Sequence, residues 1–159
     1  EILQIIPPSG RLLIEVKCGA EIVPALTHDI RNSSASPEQI MIISFDRSVV
    51  SESKRAMPDV EAAWIVEVKR DSAGTGWLPS LEDVLAEAAR LGADGVDFGY
   101  APPFSAEDLA PFRSAGLRIY IWTVNTIESA VGLRRAGVDG LTTDRPGSLR
   151  AELDATSTT

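Results

Sequence analysis

The 159-residue sequence has one cysteine and one histidine, and each scarcity excludes something. Cys18 alone cannot close an intramolecular disulfide, so the fold does not depend on an oxidising compartment; the cytoplasm is weakly favoured and the compartment stays open. A lone histidine leaves no two-histidine acid–base pair and no three-histidine zinc site. It is His28, in Leu26-Thr-His-Asp-Ile30, on an expected helix rather than a strand end, and it reads as structural. Basic residues are outnumbered, 15 Lys+Arg against 23 Asp+Glu, for a net charge of −8. That balance argues against nucleic acid or an anionic membrane surface as partner, and any phosphate chemistry must be local. No apolar run approaches the ~18 residues that span a bilayer. Glu1 to Ile6 has neither the basic region nor the cleavage site of a signal peptide. There is no G-x-G-x-x-G and no P-loop, and no G-x-S-x-G surrounds Ser44.

What is present is a core and a rhythm. With 44% hydrophobic and 24% charged residues the chain is globular in composition, and its length suits one domain or a large piece of one. Leu12–Val16, Ile40–Ser44, Ala63–Glu67 and Leu117–Val124 are short runs rich in β-branched and aromatic residues. Apolar on both faces, they read as strands of a buried parallel sheet. Gly95–Phe98 and Gly140–Thr143 are two weaker strands.

Helices fall between the strands. Ser80-Leu-Glu-Asp83, Ser105-Ala-Glu-Asp108 and Asn125-Thr-Ile-Glu128 each set a capping residue three positions before an acid. Gly92, Gly116 and Gly137 stand where a helix needs a left-handed residue after its end. Leu81, Val84, Leu85, Ala88 and Leu91 form one apolar stripe. Glu21–Ile30 and Ser48–Met57 are further expected helices, the second stopped by Pro58.

Gly92-Ala-Asp-Gly-Val-Asp97 and Gly137-Val-Asp-Gly-Leu-Thr142 repeat one helix-to-strand pattern. The βα spacing matches one unit of a (β/α)₈ barrel, about 31 residues in a domain of roughly 250. About six units are present, so the expected fold is α/β, an incomplete TIM-barrel-type domain over residues 1–153 with a disordered tail at 154–159. A six-strand doubly wound sheet is the structural rival. Glu1 begins in what reads as mid-helix, as if the chain were cut.

In such folds chemistry gathers at the carboxyl ends of strands. Glu15 and Lys17 lie two apart on one face of the first strand; together they suit a hard divalent cation and a phosphate oxygen, or form a buried structural ion pair. Ser44 and Asp46 end the second strand. Trp122 could wall a ligand site, while Asn125 and Asp144 read as helix caps. Glu67-Val-Lys69 repeats the Glu-x-Lys spacing, but the Lys-Arg-Asp-Ser run reads as a solvated loop and Gly74-Thr-Gly76 as a flexible one.

Leu13-Ile-Glu-Val-Lys17, Ile43-Ser-Phe-Asp46, Ile121-Trp-Thr-Val-Asn125 and Gly137-Val-Asp-Gly-Leu-Thr-Thr-Asp-Arg-Pro146, in this order, resemble the glycerophosphodiester phosphodiesterase family. The resemblance covers about Ile2 to Leu153 and corresponds to the later two thirds of that family's domain. It implies a (β/α)₈ barrel that uses Mg²⁺ or Ca²⁺ to hydrolyse a glycerophosphodiester, or another small phosphorylated substrate, to glycerol 3-phosphate and an alcohol, in lipid metabolism. By the same resemblance Glu15 matches a metal ligand, Lys17 the lysine near the phosphate, and Trp122 the tryptophan at the pocket mouth. The family's His-Arg-Gly, Glu-x-Asp and His-Asp motifs precede the Ile-Glu-x-Lys strand and have no counterpart here; His28-Asp29 lies on the wrong side of Lys17. The implied activity is therefore expected to be incomplete in this chain, with no catalytic acid or base. A missing N-terminal segment or a homo-oligomer could complete it. The alternative is a non-catalytic barrel-like module that binds a phosphorylated ligand or a protein.

Overall fold

The structure, a computed structural model, describes residues 2–100 and 104–156. Strands and helices alternate as the patterning predicts. Strand β1 is Leu12–Glu15, β2 Ile40–Ser44, β3 Glu61–Val66, β6 Gly95–Gly99, β7 Arg118–Trp122 and β8 Gly140–Leu141. Helices α1 (Val23–Arg31), α2 (Arg47–Ala56), α3 (Leu81–Leu91), α4 (Ala106–Ser114), α5 (Ile127–Arg135) and α6 (Pro146–Thr156) fill the intervals. A short hairpin, β4 (Lys69–Arg70) with β5 (Trp77–Leu78), replaces the expected solvated loop.

Six strands hydrogen-bond in the order β1-β2-β3-β6-β7-β8, the order of the chain. The pairs β1–β2, β2–β3 and β7–β8 are parallel. A doubly wound sheet requires the order to reverse partway, so that rival is excluded and the barrel-type progression stands. Of the expected tail, Asp154 to Thr156 belong to α6, and 157–159 lie outside the described residues.

The chain divides into two units, residues 1–65 with 86–96, and residues 66–85 with 97–159. In the first, Ile40, Met41 and Ile42 of β2 are fully buried and pack with Val49, Val50 and Met57 of α2 and its C-terminal end as core residues, as an all-apolar strand requires. β1 departs from expectation: it alternates half-buried with exposed residues, and Leu13 is 41% exposed. The reason is its place at the end of the strand order, with a single described neighbour.

The second unit is built around aromatic rings. Trp77 stacks on Phe104 with centroids 4.6 Å apart, Phe104 meets Phe98 at 5.0 Å, and Phe98 meets Phe112 edge-on at 5.4 Å. These offset and T-shaped geometries suit the ring quadrupoles. Ile119, Ile121, Leu109 and Leu133 complete this core.

The repeated Gly-x-Asp-Gly has a physical explanation. Asp94 receives the Ala62 N–H on its carboxylate at 2.8 Å and gives its own N–H to the Ala62 carbonyl at 2.9 Å. Asp139 makes the same reciprocal pair with Ile119, both bonds at 2.8 Å. Each aspartate thus clips the start of one strand to the loop entering the next, where the sheet ladder would otherwise leave an N–H unpaired. The glycine before each clip has positive φ, +67° at Gly92 and +88° at Gly137, and Gly116 has +79°. Only glycine adopts this left-handed ending without steric cost.

Candidate active site

In the first unit, the carboxyl end of β1 carries the expected pair. Lys17 Nζ lies 3.3 Å from Glu15 Oε2. The pair is not buried: 78% of the Lys17 side chain and 35% of the Glu15 side chain face solvent. The alternative of a buried structural ion pair is therefore corrected, because β1 is the outermost strand and its carboxyl end is uncovered among the described residues. An exposed pair of this kind adds little to stability and leaves both groups available to a ligand.

The neighbouring strand end is structural. Ser44, 1% exposed, donates to the Val16 carbonyl at 2.6 Å and accepts from the Asp46 N–H, locking the ends of β1 and β2 together. Asp46 caps α2; the Ser48 hydroxyl and then its N–H hold the Asp46 carboxyl below its ordinary pKa. His28 is exposed on α1, away from the strand ends, as expected.

In the second unit, the strand ends form a cavity of about 450 Å³. Its walls include Glu67, Lys69, Leu78, Gly99, Tyr100 and Trp122. Trp122 is half-buried at the end of β7, and its indole N–H reaches toward the Asp97 carbonyl at 3.4 Å. The Tyr100 hydroxyl shares a 2.9 Å hydrogen bond with Ser129 Oγ, which also accepts from Thr126 at 2.9 Å, so the ring is tethered to the start of α5. Gly99 keeps the floor open: a Cβ there would stand 3.3 Å from Glu67 Cγ and 3.5 Å from Trp122 Cζ2.

The β4–β5 hairpin supplies one wall by simple alternation. Lys69 pairs with Leu78 and Arg70 with Trp77, and the two pairs face opposite ways. Lys69 and Leu78 line the cavity. Arg70 lies over the Trp77 ring, 3.9 Å from its centroid, and 3.8 Å from Asp108. Trp77 donates to Asp108 at 3.0 Å. Burial opposes the Asp108 charge, but the Ser105 N–H, the Trp77 indole and Arg70 outweigh it and hold that carboxyl below its ordinary pKa. The expected flexible Gly74-Thr-Gly76 is an ordered turn: Asp71 accepts from the Thr75 N–H at 2.9 Å, and its own N–H reaches the Gly76 carbonyl at 3.0 Å.

Two capping expectations need correction. Thr126, not Asn125, caps α5. Asn125 instead reaches the next strand end: its carbonyl oxygen accepts from Thr143 and from the Asp144 N–H at 3.0 Å, and its amide donates to the Asp144 carboxylate at 2.8 Å. Asp144 is engaged by Asn125, while the Arg145 N–H before α6 goes to Thr143 at 3.1 Å. A short amide with both donor and acceptor can bridge two loops, and that is the stronger demand here.

Sequence patterning placed Trp122 in this cavity but passed over Glu67, Lys69 and Tyr100. The signal was present, in a second Glu-x-Lys at a strand's carboxyl end; reading the following polar run as solvated loop hid it.

Among the described residues no group of three His, Cys, Asp or Glu side chains could hold a metal ion. Glu15 is a single carboxylate with an ammonium against it, whereas Ca²⁺ takes six to eight oxygen ligands and Mg²⁺ a strict octahedron. The donors described do not by themselves fit a divalent cation.

A sheet in barrel order, flanked by helices, with charged and aromatic groups at its strand ends, is that of the (β/α)₈ class. Residues 6–148 match the model of the glycerophosphoryl diester phosphodiesterase family, and the chain belongs to that family. A structure from Silicibacter pomeroyi DSS-3 assigned to the glycerophosphoryl diester phosphodiesterases is 26% identical with TM-score 0.74, over 92% of this chain and 51% of its own. A phosphodiesterase from Oleispira antarctica, solved with the product sn-glycerol-3-phosphate, shares the fold at 18% identity and TM-score 0.72, over 91% of this chain and 55% of its own. The glycerophosphodiester phosphodiesterase of Thermotoga maritima does so at 21% and 0.63, over 92% and 57%. The chain thus spans little more than half the length of these structures. No curated protein sequence matches it.

Proposed function

We propose that this chain carries the later part of a glycerophosphodiester phosphodiesterase, which hydrolyses a glycerophosphodiester to glycerol 3-phosphate and an alcohol. The observation that carries the reading is the family match over 6–148 together with Glu15 and Lys17 paired and accessible at the carboxyl end of β1. On this reading Lys17 meets a phosphate oxygen with its ammonium, while Trp122 lines the cavity of its own unit. Glu15 is one oxygen donor toward Mg²⁺ or Ca²⁺, and further donors would have to come from outside the residues described. A relative solved with sn-glycerol-3-phosphate supports a small phosphorylated substrate.

Two measurements test it. The purified 159-residue chain is expected to show no turnover of a model glycerophosphodiester with Mg²⁺ or Ca²⁺, because its single histidine, His28, cannot make a two-histidine acid–base pair. Turnover abolished by Glu15→Ala would overturn that expectation. Glycerol 3-phosphate is expected to bind the chain and to bind at least several-fold more weakly to Lys17→Gln; equal binding by the two would remove Lys17 from the phosphate site.

A second reading, a non-catalytic module that self-associates, is favoured by one observation. β1 ends the strand order, and Leu13, Ile2 and Ile5 of the same unit are exposed by 41%, 61% and 77%. An uncovered strand edge with apolar neighbours invites pairing. Light scattering is expected to show mass rising with concentration and Leu13→Lys suppressing the rise. A monomer at all concentrations refutes this reading.

A further inference from the structure

Strand β1 has one described neighbour, β2, and among the described residues no strand pairs with its other edge. The direction of its backbone groups follows from Val16, whose N–H goes to the Ile43 carbonyl at 2.9 Å and whose carbonyl receives the Ser44 hydroxyl at 2.6 Å. Successive residues of a strand aim their N–H and C=O groups at opposite edges, so Ile14 and Leu12 also face β2, while Leu13 and Glu15 face the open edge. Side chains alternate too, and Arg11, exposed Leu13 and Glu15 share one face. Taken from its centre at Leu13, Arg11-Leu-Leu-Ile-Glu15 is its own complement: a cation stands two residues to one side and an anion two residues to the other. Leu12 to Glu15 contains no lysine, proline or bulge, the devices that keep strand edges apart.

We propose that two copies of this chain join along β1, antiparallel, with Leu13 at the two-fold axis. The proposal rests on the self-association reading and specifies its partner, direction and register. Leu13 meets Leu13 of the second copy in a hydrogen-bonded pair, and Arg11 of each copy stands opposite Glu15 of the other. On the reverse face Leu12 stands opposite Ile14 of the second copy, so every cross-strand pair is apolar with apolar or cation with anion. Arg11 gives one donor to the Glu38 carbonyl at 2.9 Å and one to Glu61 at 2.5 Å; a guanidinium has five, and its fork can hold a second carboxylate. Glu15, whose Oε2 lies 3.3 Å from Lys17, has lone pairs enough to accept from Arg11 of the second copy as well. Sliding the pairing by two residues sets Arg11 opposite Lys17 in one direction and opposite Leu13 in the other, and either shift loses both ion pairs.

The test is analytical ultracentrifugation over a range of concentrations, joined to cross-linking. Arg11→Glu alone and Glu15→Arg alone each set like charges opposite one another in a homodimer and are expected to weaken association about tenfold. An equimolar mixture of the two variants is expected to recover the parent's association, because the heterodimer has Glu against Arg at both places. In a Cys18→Ser background, Leu13→Cys is expected to oxidise to a covalent dimer, since Cα atoms of a hydrogen-bonded pair lie about 5.5 Å apart, within disulfide reach. Leu12→Cys, two residues out of step with its own counterpart, is expected to stay uncross-linked. Circular dichroism shows whether each variant is folded; if Arg11→Glu unfolds on losing the Glu61 contact, the cross-linking comparison decides. The proposal is overturned if the mixture of folded variants associates no better than either alone, or if Leu13→Cys cross-links no faster than Leu12→Cys. When the parent chain still associates, that result leaves the self-association reading standing on another surface, whereas a parent chain monomeric at all concentrations removes both.

Discussion

Asp94 and Asp139 occupy equivalent places in the repeat but carry unequal loads. Each clips a strand start through its carboxylate, at Ala62 and Ile119. Asp94 also meets Lys54 at 2.7 Å, and Lys54, whose side chain is only 15% exposed, gives its remaining bonds to the Pro58 and Val60 carbonyls at 2.9 and 3.0 Å. Removing a partner from a shielded donor costs about 1–3 kcal/mol. Asp139→Ala is expected to fall at the lower end of that range and Asp94→Ala at the upper end, read from urea unfolding. A second pair sets a pH dependence. Asp59 accepts from both terminal nitrogens of Arg31 at 2.6 and 2.5 Å, and this hydrogen bonding to Arg31 lowers the Asp59 pKa to about 2. The unfolded value is about 3.9. A depressed carboxyl pKa contributes stability above the unfolded value and loses it as pH falls through the folded one. The stability difference between the parent chain and Asp59→Asn is therefore expected to hold from pH 7 to about pH 4 and to vanish toward pH 2. High salt is expected to shrink it at every pH, because both groups are exposed.

At the scale of elements, the helix ends show what local sequence controls. Gly116 and Gly137 share the left-handed backbone, but a Cβ at Gly116 would meet nothing within 4 Å, whereas at Gly137 it would stand 2.8 Å from an Arg113 nitrogen. That guanidinium donates to the Ala136 carbonyl at 2.5 Å. Gly116→Ala is expected to cost about 1 kcal/mol from backbone strain alone, and Gly137→Ala more, because it also displaces Arg113. Differential scanning calorimetry of the two variants checks the order. The β4–β5 hairpin shows the opposite limit. Its strands are two residues each, too short for any periodicity to register, and what holds them is Trp77 packed between Arg70 and Phe104. A stack of residues so far apart in the chain leaves no trace in a local window. For the same reason Asn125 was legible only as a cap: its real partners, Thr143 and Asp144, come from the following strand end.

At the scale of the molecule, the family and the barrel-type succession of elements were legible because they rest on short ordered motifs and on period. Strand composition, capping pairs and C-terminal glycines gave six βα units, and the ends of β1 and β7 gave Glu15, Lys17 and Trp122. Strand order was not legible. A barrel-type and a doubly wound sheet share the same alternation of elements, and only the hydrogen bonding of β3 to β6 and of β6 to β7 in chain order separates them. Nor could the sequence assign burial to the Glu15–Lys17 pair, since exposure depends on which strand lies outermost. What the sequence by itself determined was local: where helices begin and end, which runs are apolar, and which motifs mark the family, all set by residue type and spacing. Tertiary structure decided whatever depends on a distant neighbour. It left Glu15 and Lys17 accessible on the terminal strand, and it gathered Glu67, Lys69, Gly99, Tyr100 and Trp122 around one cavity, because side chains from three strand ends and a hairpin meet only when the chain is folded.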